Sequence, residues 1–345
     1  MSKRALITGI TGQDGSYLAE FLLKKDYEVY GLIRRVSTEP LLRIERLVLD
    51  KKIKLITGNM RDPATIRTAI AESRPDEIYN LGAQSDVGIS FHCEDETWDT
   101  NYHGTGRLVL AAMEFNPKVK IYQASTSEMF GTTRPPQNEQ SPFQPVSPYA
   151  KAKTRAHEDY VVGYREKHGL FICSGILFNH ESPRRGKHFV TRKITYSLAK
   201  IKLGLQKRLE LGNLQSWRDW GFAGDYVEAM WLMLQQNAPE DFVIATGESH
   251  MVEEFVEQAG QYIEMPIVWS GAGINKVGYN ELDEIIVRVN KDFYRPNEVR
   301  HLRGDASKAK EILGWKPRIT FKNLVDMMAR TDLELVRHEN CQFKH

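Results

Sequence analysis

Tyr149 and Lys153 stand four residues apart in a segment that opens after Pro148 and reads as a helix, so both side chains fall on one face. Such a pair can work as one acid–base unit. A free tyrosine keeps its proton to about pH 10 and needs positive charge nearby to act as a base. An ammonium about 4 Å away is worth on the order of 4 kcal/mol at a surface-like dielectric, enough to lower that pKa by up to ~3 units. Upstream, an apolar run ends in Ser125-Thr126-Ser127-Glu128, where two-residue alternation puts Thr126 and Glu128 on one side of a strand and Ser127 on the other. With Thr126 and Tyr149 holding a hydroxyl during its oxidation, Glu128 is set to remove a proton from the neighbouring carbon. That carbon is acidic only once the alcohol has become a ketone. A plain alcohol dehydrogenase has no use for this glutamate; the alternative is a strand-end carboxylate satisfied by nearby N–H groups.

A hydride acceptor is required for that chemistry, and a site for one precedes it. The first apolar run is followed by Gly9-Ile10-Thr11-Gly12-Gln13-Asp14-Gly15 and then a helical stretch. The first glycine permits the tight turn, the second lets backbone N–H groups approach a pyrophosphate, and the third lets helix and strand pack closely. The second run ends in Arg34-Arg35, where an NAD-selective site carries a carboxylate for the ribose 2′-hydroxyl. Two guanidiniums there favour a 2′-phosphate, hence NADP, with a solvated basic turn as the alternative. Asp62 and the stretch from Leu81 through Ala83 to Ser85 follow the third and fourth runs, at strand ends where doubly wound sheets bind ligands. Asp62 either contacts the adenine or caps the helix beginning at Pro63.

The elements that must position these residues alternate. RALIT, EVYGLI, IKLITG, EIYNLG, KIYQAS and FICSGILF read as strands, and stretches such as YLAEFLL, with apolar residues three to four apart, read as crossover helices. The expected fold is α/β, a doubly wound parallel sheet of the Rossmann type with a smaller α/β C-terminal lobe. Residues 1–178 are the expected cofactor domain, with 219–247 returning to it; 179–218 and 248–345 form the lobe. RPPQNEQSPFQPVSPY reads as one long loop, a functional-loop candidate by its length. Among 345 residues, Lys plus Arg (47) and Asp plus Glu (45) nearly balance, so nucleic acid is not an expected partner. Three cysteines without C-x-x-C spacing argue against a disulfide framework and against a zinc site, and fit a reducing cytoplasm. No stretch approaches the ~20 apolar residues of a membrane span, and no signal peptide or membrane anchor is expected.

The chain resembles the extended short-chain dehydrogenase/reductases and, within them, the GDP-mannose 4,6-dehydratase family. The segments that carry this are ALITGITGQDGSYLAEFLL, NLGAQSDVGISF, YQASTSEMFG, SPYAKAK, GILFNHESPRRGKHFVTRKI, RDWGFAGDYVEAMWLMLQQ and DFYRPNEV. The resemblance implies an internal redox cycle on a GDP-linked sugar with NADP as cofactor, in which Thr126, Glu128, Tyr149 and Lys153 are catalytic. It implies that Ser85, Glu128, Asn179, Val190, Lys193, Arg218, Arg295 and Glu298 hold the GDP-sugar, the arginines on the pyrophosphate and Val190 at the guanine. It also implies that His180 and Arg185 reach the nicotinamide half of the cofactor, although His180 alone reads as a packed, hydrogen-bonded histidine. Finally, it implies a homotetramer in which the basic loop 34–46 meets a neighbouring subunit, a solvated helix face being the other reading of Arg43 and Arg46. Departures from the family pattern are Asp86 in Ser85-Asp86-Val87, the loop Phe143 to Tyr149, Glu96, and one extra residue in the helix after Lys153. They lie on the sugar and cofactor side, which leaves a GDP-linked heptose as an alternative substrate. An NADP-dependent epimerase or 4-keto reductase, and a non-catalytic NADP-sensing scaffold, are the remaining alternatives.

Overall fold

The computed structural model describes residues 2–37, 41–293 and 299–342. The six expected strands form as β1 (Arg4–Thr8), β2 (Glu28–Ile33), β3 (Ile53–Thr57), β4 (Glu77–Asn80), β5 (Lys120–Thr126) and β6 (Ile172–Leu177). They make one parallel sheet in the order β3-β2-β1-β4-β5-β6, with Phe242–Ile244 added beside β6. Alternation then sorts the side chains. Ala5 and Ile7 enter one core with Leu18, Leu22, Met230 and Met233, from helices Gln13–Leu23 and Ala223–Leu234. Leu6 enters the other, with Ile66, Ile70, Leu108 and Val109, from helices Pro63–Ser73 and Gly104–Phe115. Helices thus cover both faces, as buried parallel sheets require.

The reversal in strand order falls between β1 and β4, so the ends of these strands open a crevice. A buried polar ladder fixes it. Thr8 donates its hydroxyl to Asn80 Oδ1 (2.6 Å), Asn80 Nδ2 donates to Gln123 Oε1 (2.7 Å), and Gly82 N donates to Thr8 Oγ1 (2.9 Å). The turn carrying Leu81 to Ser85 is therefore tied to three strands.

The second core is built on Trp220, Phe255 and Phe321, with helices Val190–Lys202, Val252–Tyr262 and Phe321–Gln342 over a four-stranded mixed sheet. The division at residue 248 is too simple, because Ala309, Leu313 and Trp315 return to the core of the parallel sheet. Trp315 Nε1 donates to the Asp225 carbonyl (2.9 Å), which pins the return. Residues 134–147 are a strap rather than a cover: Gln137 is buried and bonds Arg303, while Glu139 Oε1 accepts from Val243 N at the sheet edge. Among the described residues, no helix is long and apolar enough to cross a membrane.

Candidate active site

A single large cleft of about 880 Å³ runs from the glycine turn to the lobe. Gly9 sits at φ +71°, and a Cβ there would lie 2.9 Å from the Leu81 carbonyl, so the crossing of the two turns admits no side chain. A Cβ on Gly15 would lie 2.4 Å from Gly9 O. Gly12 opens helix Gln13–Leu23 and no side chain caps it, which leaves backbone N–H groups aimed into the cleft. This cradle fits the pyrophosphate of a dinucleotide. Gly9, Gly12, Gln13, Asp14, Gly15, Leu81, Ala83 and Ser85 all line the cleft.

The neighbours of the turn behave differently. Thr11 does not line the cleft; its carbonyl accepts from Arg43 NH1 (3.2 Å), and Arg43 Nε donates to the Arg184 carbonyl (2.6 Å). Arg43 is thus half-buried and braces the glycine turn of its own chain, which corrects the solvated reading of this residue. Arg46 does stay exposed, as do Arg34 and Arg35 just past the end of β2, outside the cleft lining. Asp62 is the N-cap of helix Pro63–Ser73, accepting from Ala64 N (2.9 Å), and lies outside the lining as well.

The chemical centre comes from two adjacent elements. Ser147 caps helix Pro148–Ala156 by accepting from Ala150 N (3.1 Å), with Pro148 in its first turn, and this presents Tyr149 and Lys153 to the cleft. Strand β5 ends at Thr126, two residues earlier than the alternation argument needs, and Ser127–Phe130 is a 3₁₀ turn. Thr126 Oγ1 accepts from Glu128 N (3.2 Å), so a cap rather than strand alternation brings both side chains to the cleft. The Glu128 residue is 8% exposed, and among the described residues nothing donates a hydrogen bond to its carboxylate. Glu128 is therefore not a carboxylate satisfied by its surroundings.

Burial pushes the Tyr149 hydroxyl up to about 12; the Thr126 hydrogen bond and the Arg185 charge act against this, and Glu128 reinforces it. Burial alone lowers Lys153 to about 8. Its Nζ donates to the Ala124 carbonyl (2.9 Å), which fixes the ammonium at the end of β5 in the same cleft as Tyr149.

From the lobe, Asn179, His180, Arg185, Val190, Lys193 and Arg218 line the same cleft. Asn179 Oδ1 is buried without a hydrogen-bond partner, an acceptor left open beside a ligand space. Lys193 lies over the Phe293 ring (3.9 Å), and burial lowers its pKa. Arg185 stacks on Phe189 (3.7 Å) and pairs with buried Glu181 (3.1 Å). Arg192 donates from NH1 to the Arg185 carbonyl (2.8 Å) and pairs with Asp332, which is 0% exposed. Arg295 and Glu298 lie outside the described residues. Sequence reasoning missed Phe189 and Glu181, although their segment carried the resemblance, because no spacing rule marks a residue that supports an arginine.

The family model described as GDP-mannose 4,6 dehydratase matches residues 6–328. The chain belongs to the GDP-mannose 4,6-dehydratase family. "GDP-mannose 4,6 dehydratase 1" of Arabidopsis thaliana is 52% identical over 98% of this chain and 91% of its own length. "GDP-mannose 4,6 dehydratase" of Homo sapiens is 53% identical, covering 96% and 92%. Among solved structures, the UDP-glucose 4-epimerase of Thermotoga maritima with UDP-glucose superposes with a TM-score of 0.81, at 21% identity, over 96% of this chain and 99% of that one. At that identity the likeness shows the fold, the extended Rossmann-like architecture, and family membership rests on the dehydratases.

Proposed function

We propose that this chain removes one water from GDP-mannose to give GDP-4-keto-6-deoxy-mannose, with NADP as its cofactor. The observation that carries this reading is Glu128, a largely buried residue that lines the cleft beside Thr126 and Tyr149 with no protein donor to its carboxylate among the described residues, in a chain about half identical to curated dehydratases along nearly all its length. The same kinship leaves the heptose, the epimerase or reductase, and the scaffold unfavoured. NADP, when bound, supplies the acceptor for the C4 hydride and returns it at C6. Tyr149 takes the O4 proton, with Thr126 on the same oxygen and Arg185 and Thr126 lowering the cost of the phenolate. Lys153, held at the strand end through Ala124, supports Tyr149 with its charge. Glu128 then removes the C5 proton, acidic once C4 is a ketone, and delivers it to the departing C6 hydroxyl.

Gly9, Thr11, Gly12, Gly15, Leu81, Ala83 and Ser85 frame the cofactor in this reading, Asp62 stands at its adenine end, and Arg34 and Arg35 meet its 2′-phosphate. Asn179, Val190, Lys193, Arg218, Arg295 and Glu298 hold the GDP. A homotetramer through loop 34–46 is part of the proposal, supported by Leu42 at 83% exposure. The test is mass spectrometry of GDP-mannose after incubation with the protein and catalytic NADP⁺. A product lighter by one water, without net cofactor reduction, is expected; unchanged GDP-mannose overturns the reading.

A further inference from the structure

Asp14 puts a carboxylate in the first turn of the helix whose start would hold a pyrophosphate, where a second negative charge repels the ligand. The lobe answers it. His180 Nε2 lies 2.8 Å from Asp14 Oδ2 and His180 Nδ1 lies 2.7 Å from the Phe178 carbonyl. A carbonyl only accepts, so Nδ1 carries a proton; the carboxylate at Nε2 holds the second, and the ring is an imidazolium. It is stacked on Tyr226, with centroids 4.6 Å apart, and cannot swing away freely. Gln13 extends the attachment, donating to the His180 carbonyl (3.1 Å) and accepting from Ser182 Oγ (2.8 Å). Both polar side chains of the glycine turn are thus spent on the segment 180–182 of the lobe.

We propose that Asp14 and His180 form a charge-cancelling latch between the glycine turn and strand Asn179–Glu181, and that retention of the dinucleotide depends on the imidazolium this strand sets against the Asp14 carboxylate. This rests on the reading that the turn holds NADP. Gln13 Nε2 also donates to Asp14 Oδ1 (3.0 Å), but it is neutral; the imidazolium brings opposite charge into contact with the carboxylate, so its loss lowers cofactor affinity through Asp14. Asp14 and His180 are positioning residues here, distinct from any contact either makes to the cofactor.

The experiment is a fluorescence titration of NADP on cofactor-stripped full-length protein. His180→Gln leaves the Asp14 carboxylate with only the neutral Gln13 donor and its charge uncancelled, and is expected to weaken binding by about 30-fold or more. Adding Asp14→Asn to it is expected to restore affinity to within about fivefold of the parent. A double variant as weak as His180→Gln overturns the latch and makes His180 a plain cofactor contact. Should His180→Gln not fold, Asp14→Asn alone decides: the latch predicts parent-like or tighter binding together with faster amide exchange at 179–182, and parent-like exchange there overturns it. A parent chain that binds no NADP would sink the cofactor reading itself, whereas parent binding without rescue sinks only the latch.

Discussion

The two walls of the cleft are built by different means. On the sheet side, Thr126, Glu128, Tyr149 and Lys153 come from one strand end and the helix that follows, each fixed by a cap: Thr126 on Glu128 N, Ser147 on Ala150 N. On the lobe side, Asn179, Arg185, Lys193 and Arg218 sit on short strands, a loop and a helix, with Arg185 held by Glu181 and Phe189 and, at its carbonyl, by Arg192 of the buried Arg192–Asp332 pair. The groups proposed to react are placed by backbone geometry, those proposed to bind by other side chains. A change on the first wall should therefore remove chemistry and spare the fold, while a change behind the second should loosen the fold and weaken binding.

The largest effect tests the first wall. Glu128→Gln is expected to lower turnover by roughly 10²–10⁴-fold, the usual contribution of a general base, with a thermal midpoint close to the parent's. A parent-like rate would remove Glu128 from the mechanism. Behind the second wall, Asp332→Ala strands a buried guanidinium and is expected to cost about 3–5 kcal/mol in urea unfolding, with KM for the GDP-sugar raised. Equal stability would mean that the lobe does not depend on this pair.

Lys153 sharpens the contrast, because burial taxes the group that catalysis keeps charged. Its folded pKa of about 8 lies below the ordinary lysine value of 10.5, so between these values the unfolded chain binds more protons and parent stability rises with pH. In cofactor-free protein, Lys153→Met is expected to be more stable than the parent by on the order of 2 kcal/mol at pH 7, the gap closing between pH 8 and 10.5. A gap independent of pH would refute the titration argument. The smallest effect is Lys193→Ala, expected to raise KM by about tenfold with kcat nearly unchanged, as loss of uniform binding does. A fall in kcat alone would place Lys193 in the chemistry.

Much of the first wall was legible in advance for the reason that places it. Glycine spacing, alternation in RALIT and KIYQAST and a four-residue Tyr–Lys interval are local patterns, and the sheet domain is organised locally. The second wall resisted because its strands are two or three residues long, below any period, and because Asp332 reaches Arg192 across 140 positions. Arg43 was misread for the same cause: nothing near it announces Thr11 and Arg184 as partners. Thr126 and Glu128 reached the same cleft by a route different from the one expected, since a 3₁₀ turn and a strand end share the residue types Ser and Thr. The extra residue after Lys153 coincides with a wide π turn, His157–Val162, which a 3.6-residue period does not separate from ordinary helix over six positions.

The return of Ala309, Leu313 and Trp315 to the sheet core bears on how the chain is made. Domains emerging from a ribosome usually fold in order, the first before the second. Here neither half can finish early: the sheet domain waits for its edge strand Phe242–Ile244 and then for Trp315, and the lobe waits for Asp332. A nascent chain arrested before residue 315 therefore carries the complete Tyr149–Lys153 pair over a sheet core still lacking Trp315, beside a lobe still lacking helix Phe321–Gln342. Synthesis and activation are thereby coupled, and the cleft acquires its second wall only when translation has passed both domains.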